Sequence, residues 1–300
     1  MSRFPAFTLL AGAVLSLAAC TTTGRVQPPA AATAPAVVAP ANGANDNLNA
    51  VLWVQRSQEY RASALQTWRL AGQQLDRALA DASWTALLPE EGGNQQSARL
   101  KPAVVVDVDE TVLDNSPYQA RLVHDGGSYS DATWEAWVNE QKAQAVPGAV
   151  AFAQLAASKG VTMIYISNRT SAMKDATLAN LRTLGFPVAD DSVYLGLGTE
   201  VPGCTQVGSD KGCRRQLVAQ KYRVLMQVGD QFTDFLQVED NTLAARDALL
   251  DKHQGWVGSR WWILPNPTYG GWEGASFNNA WSLPADLRNA AKREALEVAR

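Results

Sequence analysis

Two aspartates that stand two positions apart, Asp107 and Asp109, directly follow an apolar run and could carry nucleophilic or acid–base chemistry. A third aspartate, Asp230, follows another apolar run more than a hundred positions later. A carboxylate can attack an electrophilic centre, and a neighbouring carboxyl group can transfer the proton that a leaving group needs. Carboxylate oxygens are also the ligands that Mg²⁺ prefers. The pattern is typical of an enzyme site built from aspartates and magnesium.

The apolar runs before these residues have the composition of strands that are buried on both faces of a parallel sheet. Helical stretches alternate with the runs, and this order predicts an α/β fold with a doubly wound parallel sheet. Such sheets bind ligands at the carboxyl ends of their strands, so distant residues can share one site. The predicted strands are 103–106, 161–166, 193–195, 224–228 and 261–264, and the predicted helices are 149–158, 172–184 and 213–220.

Two other regions are expected to form a helical cap over the site. Residues 48–88 carry apolar residues at helical spacing, which predicts a long helix or a helical pair that ends at Pro89. Residues 117–146 are rich in Trp and Tyr and have no place in the strand–helix alternation. We expect one folded domain over 48–300, with a cap formed by about 48–90 and 117–146.

Four short motifs resemble, in this order, those of the haloacid dehalogenase superfamily. They are DVDET at 107–111, SNR at 167–169, Lys211 and GDQFTDF at 229–235. More narrowly, the chain is similar to the class C acid phosphatases, which include outer-membrane lipoprotein 5′-nucleotidases. That similarity rests on DNSPY at 114–118, KGCR at 211–214 and NPTYGGWE at 266–273. Gln231 stands where an asparagine is more usual, and this change keeps the amide.

The resemblance implies a magnesium-dependent acid phosphatase that hydrolyses phosphomonoesters, among them nucleoside 5′-monophosphates, through an aspartyl-phosphate. Asp107 would be the nucleophile. Asp109 would protonate the leaving group and then deprotonate the hydrolytic water. Mg²⁺ would bind Asp107, Asp230 and the main-chain carbonyl of Asp109. In this family Asp234 supports that cluster.

The same resemblance assigns the residues that would contact the substrate. Ser167 and Asn168 would donate hydrogen bonds to the phosphoryl oxygens, and Lys211 would balance their charge. Aromatic residues of the inserted segment and of the late loop sandwich a nucleobase in the class C enzymes. Trp134 and Tyr269 match those positions best.

Two other functions remain open at this stage. A phosphotransferase would use the same aspartyl-phosphate, with an alcohol in place of water. A non-catalytic binding or storage lipoprotein of the same fold would be expected to lack the nucleophile, and Asp107 is present. Asp114 and Trp137 are expected to have structural roles, as a turn acceptor and as packing within the cap.

The first residues of the chain have the pattern of a cleaved export signal. The apolar run 7–17 is too short to span a bilayer. Cys20 follows Leu-Ala-Ala and resembles the bacterial lipobox cysteine, which becomes the lipidated first residue. The residue that follows it, Thr21, favours the outer membrane by the rule of such proteins. We expect a signal peptide over 1–19, a lipidated and flexible tether over 20–47, and an outer-membrane lipoprotein that faces the periplasm or the cell surface.

The remaining composition limits the choice of partners. Cys204 and Cys213 could close a small disulfide loop in an oxidising compartment or stay free thiols. The net charge of −3 shows no basic excess, so no nucleic acid is expected. Two histidines are too few for a histidine-rich zinc site. The expected partners are a small phosphomonoester and the membrane, and a homodimer is left open.

Overall fold

The computed structural model describes residues 47–95 and 98–299, in which helices flank a parallel β-sheet. The helices are α1 (Leu48–Arg56), α2 (Gln58–Ala80), α3 (Ser116–Asp125), α4 (Asp131–Glu140), α5 (Ala149–Ser158), α6 (Lys174–Thr183), α7 (Gly212–Ala219), α8 (Leu243–His253), α9 (Gly271–Ala275) and α10 (Ala285–Glu294). The strands are β1 (Lys101–Val106), β2 (Leu113–Asp114), β3 (Gln144–Ala145), β4 (Thr162–Thr170), β5 (Tyr194–Leu197), β6 (Tyr222–Gly229) and β7 (Trp261–Ile263).

The predicted signal peptide, the lipidation site Cys20 and the tether up to residue 46 lie outside the described residues. Among the helices that are described, none has the length and the apolar character that a membrane span requires.

Five parallel strands form the central sheet in the order β5-β4-β1-β6-β7. Val105 of β1 pairs with Ile164 of β4 on one side and with Gln227 of β6 on the other. The strands form because their β-branched and apolar runs are covered on both faces, and Val104 is fully buried. This arrangement confirms the predicted doubly wound α/β fold. Because β1 lies in the middle of the sheet, Asp107, which follows it, lies at the centre of the carboxyl edge.

Helices cover both faces of the sheet. The chain moves outward from β1 to β5 and then returns to β6 and β7. Right-handed crossovers therefore place α5 and α6 on one face and α7 and α8 on the other. Helix α2 packs beside α5, and the rings of Trp68 and Phe152 lie 5.0 Å apart.

The expected cap needs correcting for α2. The buried side chains of this helix form one stripe, namely Tyr60, Ala64, Trp68, Ala71, Leu75 and Ala78. This stripe packs against α5, β6 and β7, so the helix mainly covers a face of the sheet. It also ends at Ala80 rather than near Pro89, because Asp81 turns the chain by accepting hydrogen bonds from Ser83. The next residues run along β6, where Ala86 N donates to Val224 O at 2.8 Å.

The second predicted cap segment, 117–146, begins and ends at a small two-stranded antiparallel sheet. Strand β2 pairs with β3, and α3 and α4 lie between them in the sequence. Helix α1 packs against α3, and Trp137 of α4 is buried. The segment 117–146 therefore forms a helical unit next to the carboxyl edge of the sheet.

Candidate active site

The nucleophile candidate lies at the end of the central strand. Asp107 N donates to Val228 O at 2.9 Å, and this bond continues the sheet for one residue. The chain then turns tightly, since Leu113 N donates to Val108 O at 2.8 Å. Glu110 has a φ of 57°, the left-handed conformation that non-glycine residues rarely adopt. The turn brings Asp109 back beside Asp107, so the predicted pair lines one pocket.

Lys211 connects the ends of two different loops. Its Nζ donates to Asp107 Oδ1 and, at 2.7 Å, to Asp234 Oδ1. The lysine is only 3% exposed. Burial disfavours its charged form, but the two carboxylates outweigh burial and raise the pKa of Lys211. The lysine therefore remains a cation at the floor of the pocket.

Three carboxylates at this floor could hold a metal ion together. Oxygens of Asp107, Asp230 and Asp234 all lie within 4.8 Å of one another. Burial, and next the charge of Asp234, raise the pKa of Asp230 to about 7. A divalent cation would offset this repulsion and favour the ionised carboxylates. Oxygen donors alone are the set that Mg²⁺ prefers, so the residues fit the expected metal.

The balance of charges at the site also favours a bound cation. Five carboxyl groups lie together at the site, and Lys211 and Arg169 form ion pairs with three of them, Asp107, Asp109 and Asp234, which leaves Glu110 and Asp230. Burial raises the pKa of Glu110 well above its ordinary value, and the charge of Asp109 raises it further. An added positive charge would reduce this excess of acid.

Asp234 is placed to support the cluster. Its Oδ2 accepts hydrogen bonds from the backbone N–H groups of Asp230 (3.0 Å) and Gln231 (2.9 Å), while Lys211 occupies Oδ1. Gly229 makes this approach possible. A methyl group on Gly229 would lie 2.2 Å from Asp234 Oδ2, so no larger residue fits there without moving the aspartate.

Two amides hold Asp230. Gln231 and Asn266 each donate to Asp230 Oδ2 at 2.8 Å. Gln231 also donates to the carbonyl of Tyr269 at 3.2 Å and accepts from Gly271 N at 3.0 Å. The unusual glutamine therefore connects the metal-binding loop to the late aromatic loop.

The two residues predicted to bind phosphate are placed differently. Asn168 is exposed and lines the pocket. Its Oδ1 accepts from Arg214 at 2.7 Å, which leaves the amide N–H groups for a ligand. Ser167 is fully buried, and its hydroxyl lies 3.3 Å from Asp109 Oδ2. Contact between Ser167 and a phosphoryl oxygen therefore stays a prediction.

Aromatic side chains form one wall of the pocket, whose volume is about 250 Å³. Trp134 and Tyr269 both line it, together with Tyr129, which sequence analysis missed. The rings of Tyr129 and Trp134 lie 6.3 Å apart. The Tyr269 hydroxyl donates to Glu110, so this ring is tied to the turn that follows β1.

Similarity to known proteins agrees with this geometry. Residues 8–272 match the family described as HAD superfamily, subfamily IIIB (acid phosphatase). The structure resembles that of the class C acid phosphatase from Bacillus anthracis, with a TM-score of 0.73 and 32% identity over 85% of this chain and 98% of that chain. The same Bacillus enzyme has been solved with tungstate bound.

Two plant proteins are also similar. The stem 28 kDa glycoprotein of Glycine max is 28% identical over 170 residues, which are 56% of this chain and 60% of that protein. Acid phosphatase 1 of Solanum lycopersicum is 25% identical over 132 residues, 44% and 51% of the two chains. The matched region spans about half to three fifths of these relatives.

The chain belongs to the HAD subfamily IIIB acid phosphatases. This membership confirms the resemblance on which the motif assignments rest. One turn at the start of α7 contacts the chain segments that follow β1, β4 and β6. Lys211 binds Asp107 and Asp234, and Arg214 donates to Ser167 O at 2.6 Å. Arg215 donates to the carbonyls of Thr233 and Asp234 at 3.0 and 3.1 Å.

A disulfide joins this turn to the preceding loop. Cys204 and Cys213 are bonded, with a Cα–Cα distance of 5.6 Å. The sequence left a disulfide and two free thiols as alternatives, and the structure contains the disulfide. Glu91 also holds this turn in place, because its carboxylate accepts two hydrogen bonds from Arg215, at 2.6 and 2.8 Å.

Several residues of the site carried no assigned role in the sequence. Arg169 and Asn115 bind Asp109, and Asn266 binds Asp230. Arg169 follows the serine and asparagine of a strand-end motif, and this position was the one signal for it. The roles of Asn115 and Asn266 depend on how the turns fold, which no local pattern indicates. Asp114, in contrast, accepts from Ser116 N at 2.8 Å, the expected turn geometry.

Proposed function

We propose that this protein is a metal-dependent acid phosphatase that hydrolyses phosphomonoesters through an aspartyl-phosphate on Asp107. The observation that carries the proposal is the buried contact of Lys211 with Asp107 and Asp234, beside Asp230, at the floor of an open pocket. A nucleophile, a fixed cation and metal-binding oxygens are the elements that phosphoryl transfer requires.

The chain's own residues account for both chemical steps. In the first, an Asp107 oxygen forms a bond to phosphorus as the bond to the leaving oxygen breaks, and Asp109 gives that oxygen a proton. In the second, water bonds to phosphorus, Asp109 takes a proton from it, and the bond to Asp107 breaks. Lys211 and the amide of Asn168 stabilise the phosphoryl charge in both steps. A bound Mg²⁺ would supply further charge neutralisation.

The test is phosphate release from a panel of nucleotides, sugar phosphates and aryl phosphates. We expect turnover at weakly acid pH that EDTA abolishes and Mg²⁺ restores. Full activity in the chelated enzyme would contradict the metal site, and no turnover on any phosphomonoester would contradict the function.

The preferred substrates are nucleoside 5′-monophosphates. Three aromatic side chains support this choice, because Tyr129, Trp134 and Tyr269 line the pocket that holds the aspartates. A nucleobase is flat and gains about 1–3 kcal/mol from stacking on such a ring. Higher kcat/KM values for nucleoside monophosphates than for sugar phosphates are expected in the same panel. The reverse order would contradict the assignment.

The protein is further proposed to be an outer-membrane lipoprotein anchored through Cys20. The Leu-Ala-Ala-Cys sequence supports this location. A Cys20→Ser variant should lose its lipid and move from the membrane fraction to the soluble or unprocessed one. A variant that still fractionates with the membrane would contradict the anchor.

A further inference from the structure

We infer that Arg169, Asn115 and Trp137 form a positioning network that fixes Asp109 and leaves its Oδ2 as the oxygen that exchanges protons with the substrate. The inference rests on the proposed function, and it assigns roles to three residues outside the expected catalytic set.

The two oxygens of Asp109 have unequal surroundings. Oδ1 accepts three close hydrogen bonds, from Arg169 Nη2 (2.8 Å), Asn115 Nδ2 (2.9 Å) and Arg169 Nε (3.0 Å). Oδ2 has only longer contacts, with Ser167 Oγ at 3.3 Å and Arg169 Nε at 3.4 Å. A carboxylate oxygen that already accepts three donors is a poor site for a further proton. Oδ2 is therefore the oxygen that serves the pocket.

The donors on Oδ1 are themselves held in place. Arg169 is 2% exposed, and its Nη1 donates to Thr177 Oγ1 at 3.0 Å. Asn115 is fully buried, and its Oδ1 accepts from Trp137 Nε1 at 2.8 Å and from Arg169 Nη2 at 3.3 Å. Because its oxygen is occupied in this way, the amide must present its N–H to Asp109. Trp137 thus acts on Asp109 through Asn115, beyond packing the cap.

The network also reaches the substrate wall. The Arg169 guanidinium lies over the ring of Trp134, 5.5 Å from its centroid. One side chain therefore contacts both the group that moves the proton and the aromatic residue that lines the pocket. A planar guanidinium can make these contacts together, whereas a lysine ammonium cannot.

The test compares two substrates that differ in their need for a proton. An alkyl phosphate has a poor leaving group that must be protonated, whereas p-nitrophenolate leaves without a proton. The parameter kcat/KM reports the steps up to formation of the phosphoenzyme. In Arg169→Met we expect kcat/KM to fall about 100-fold or more on the alkyl phosphate, and less than about tenfold on p-nitrophenyl phosphate.

The second step provides an independent signal. Attack by water needs Asp109 as a base whatever the first leaving group was. Arg169→Met should therefore release a burst of nitrophenol, close to one per active site, before slow steady turnover. Trp137→Phe keeps an aromatic ring but loses the N–H donor. It should lower kcat/KM on the alkyl phosphate about tenfold relative to p-nitrophenyl phosphate, and it should also produce a burst of nitrophenol.

A matched control removes an arginine from the surface. Arg182 pairs with Asp191 at 2.7 Å, and both side chains are about half exposed. Arg182→Met should keep wild-type kinetics on both substrates. If Arg169→Met fails to fold, Arg169→Lys and Trp137→Phe carry the same comparison.

Equal losses of kcat/KM on the two substrates, without a burst, would overturn the positioning role, as would unchanged kinetics in the folded variants. An Asp107→Asn variant that still releases nitrophenol would overturn the proposed function instead. The two failures can therefore be distinguished.

Discussion

The floor of the pocket and its aromatic wall are built in different ways. Of the floor residues, Asp107 follows strand β1 and Lys211 lies at the start of helix α7. Both are less than 8% exposed, and their side chains bind each other. The wall residues Tyr129 and Trp134 come from the insertion between β2 and β3, and Tyr129 is 57% exposed. The reacting groups thus lie where the sheet fixes the backbone. The groups that would recognise the substrate lie on the inserted segment between β2 and β3, and such segments vary more easily than the sheet.

This difference separates two kinds of defect. A change in the floor should reduce turnover of every phosphomonoester, because all of them pass through the same bond to Asp107. A change in the wall should affect only substrates that are large enough to reach it.

Asp107→Asn should abolish turnover on nucleotides and aryl phosphates alike, because an amide does not attack phosphorus. The variant should remain folded, since asparagine has the size of aspartate and Asp234 still pairs with the Lys211 ammonium. Phosphate release and a thermal melt check the two expectations. Near-normal activity on any substrate would contradict the assignment of the nucleophile.

Gly229→Ala should reduce turnover of every substrate about 100-fold, because the methyl group displaces Asp234 from the backbone of Asp230 and from Lys211. Gly255→Ala is the matched control, since nothing lies within 4 Å of a Cβ at that position. Steady-state kinetics on a nucleotide and an aryl phosphate measure the effect. A loss confined to the nucleotide would place Gly229 with the wall and break the comparison.

Tyr269→Ala and Trp134→Ala should each raise KM for nucleoside monophosphates about tenfold, as expected for the loss of one stacking contact. A small aryl phosphate should be affected less. Tyr269→Phe keeps the ring and removes only the bond to Glu110, so its KM should stay close to that of the wild type. Equal losses on both substrates would show that the wall residues hold the fold.

The smallest effect concerns stability and pH. The pKa of Asp230 is about 7 in the folded metal-free protein, mainly because of burial, and about 3.9 in an unfolded chain. The folded state therefore retains this proton longer, and the metal-free protein should lose stability as pH rises from about 4 to 7. Mg²⁺ should raise the melting temperature by about 2 °C or more at pH 7.5 and by less at pH 5. A larger shift at pH 5 would contradict the metal site.

The sequence predicted the sheet from local apolar patterns, whereas the residues at the floor were expected from the strand ends and from the family resemblance. The apolar run at 103–106 lies within β1, and the polar residues at its end lie in the pocket, as expected. The helix before Pro89 was predicted too long, because the turn at Asp81 depends on the hydrogen bonds that its side chain accepts from Ser83. The strand-end motif at 167–169 contains Arg169 but did not indicate its role, because its partner Asp109 lies sixty positions earlier in the chain.

The most direct test of the account is to trap the phosphoenzyme. An acyl phosphate on aspartate is reduced by borohydride to homoserine, which mass spectrometry of the digested protein locates. During turnover of a phosphomonoester with Mg²⁺, we predict homoserine at position 107 and none in the absence of substrate. Reduction at another carboxyl group, or steady turnover without any homoserine, would contradict the central claim that Asp107 is the nucleophile.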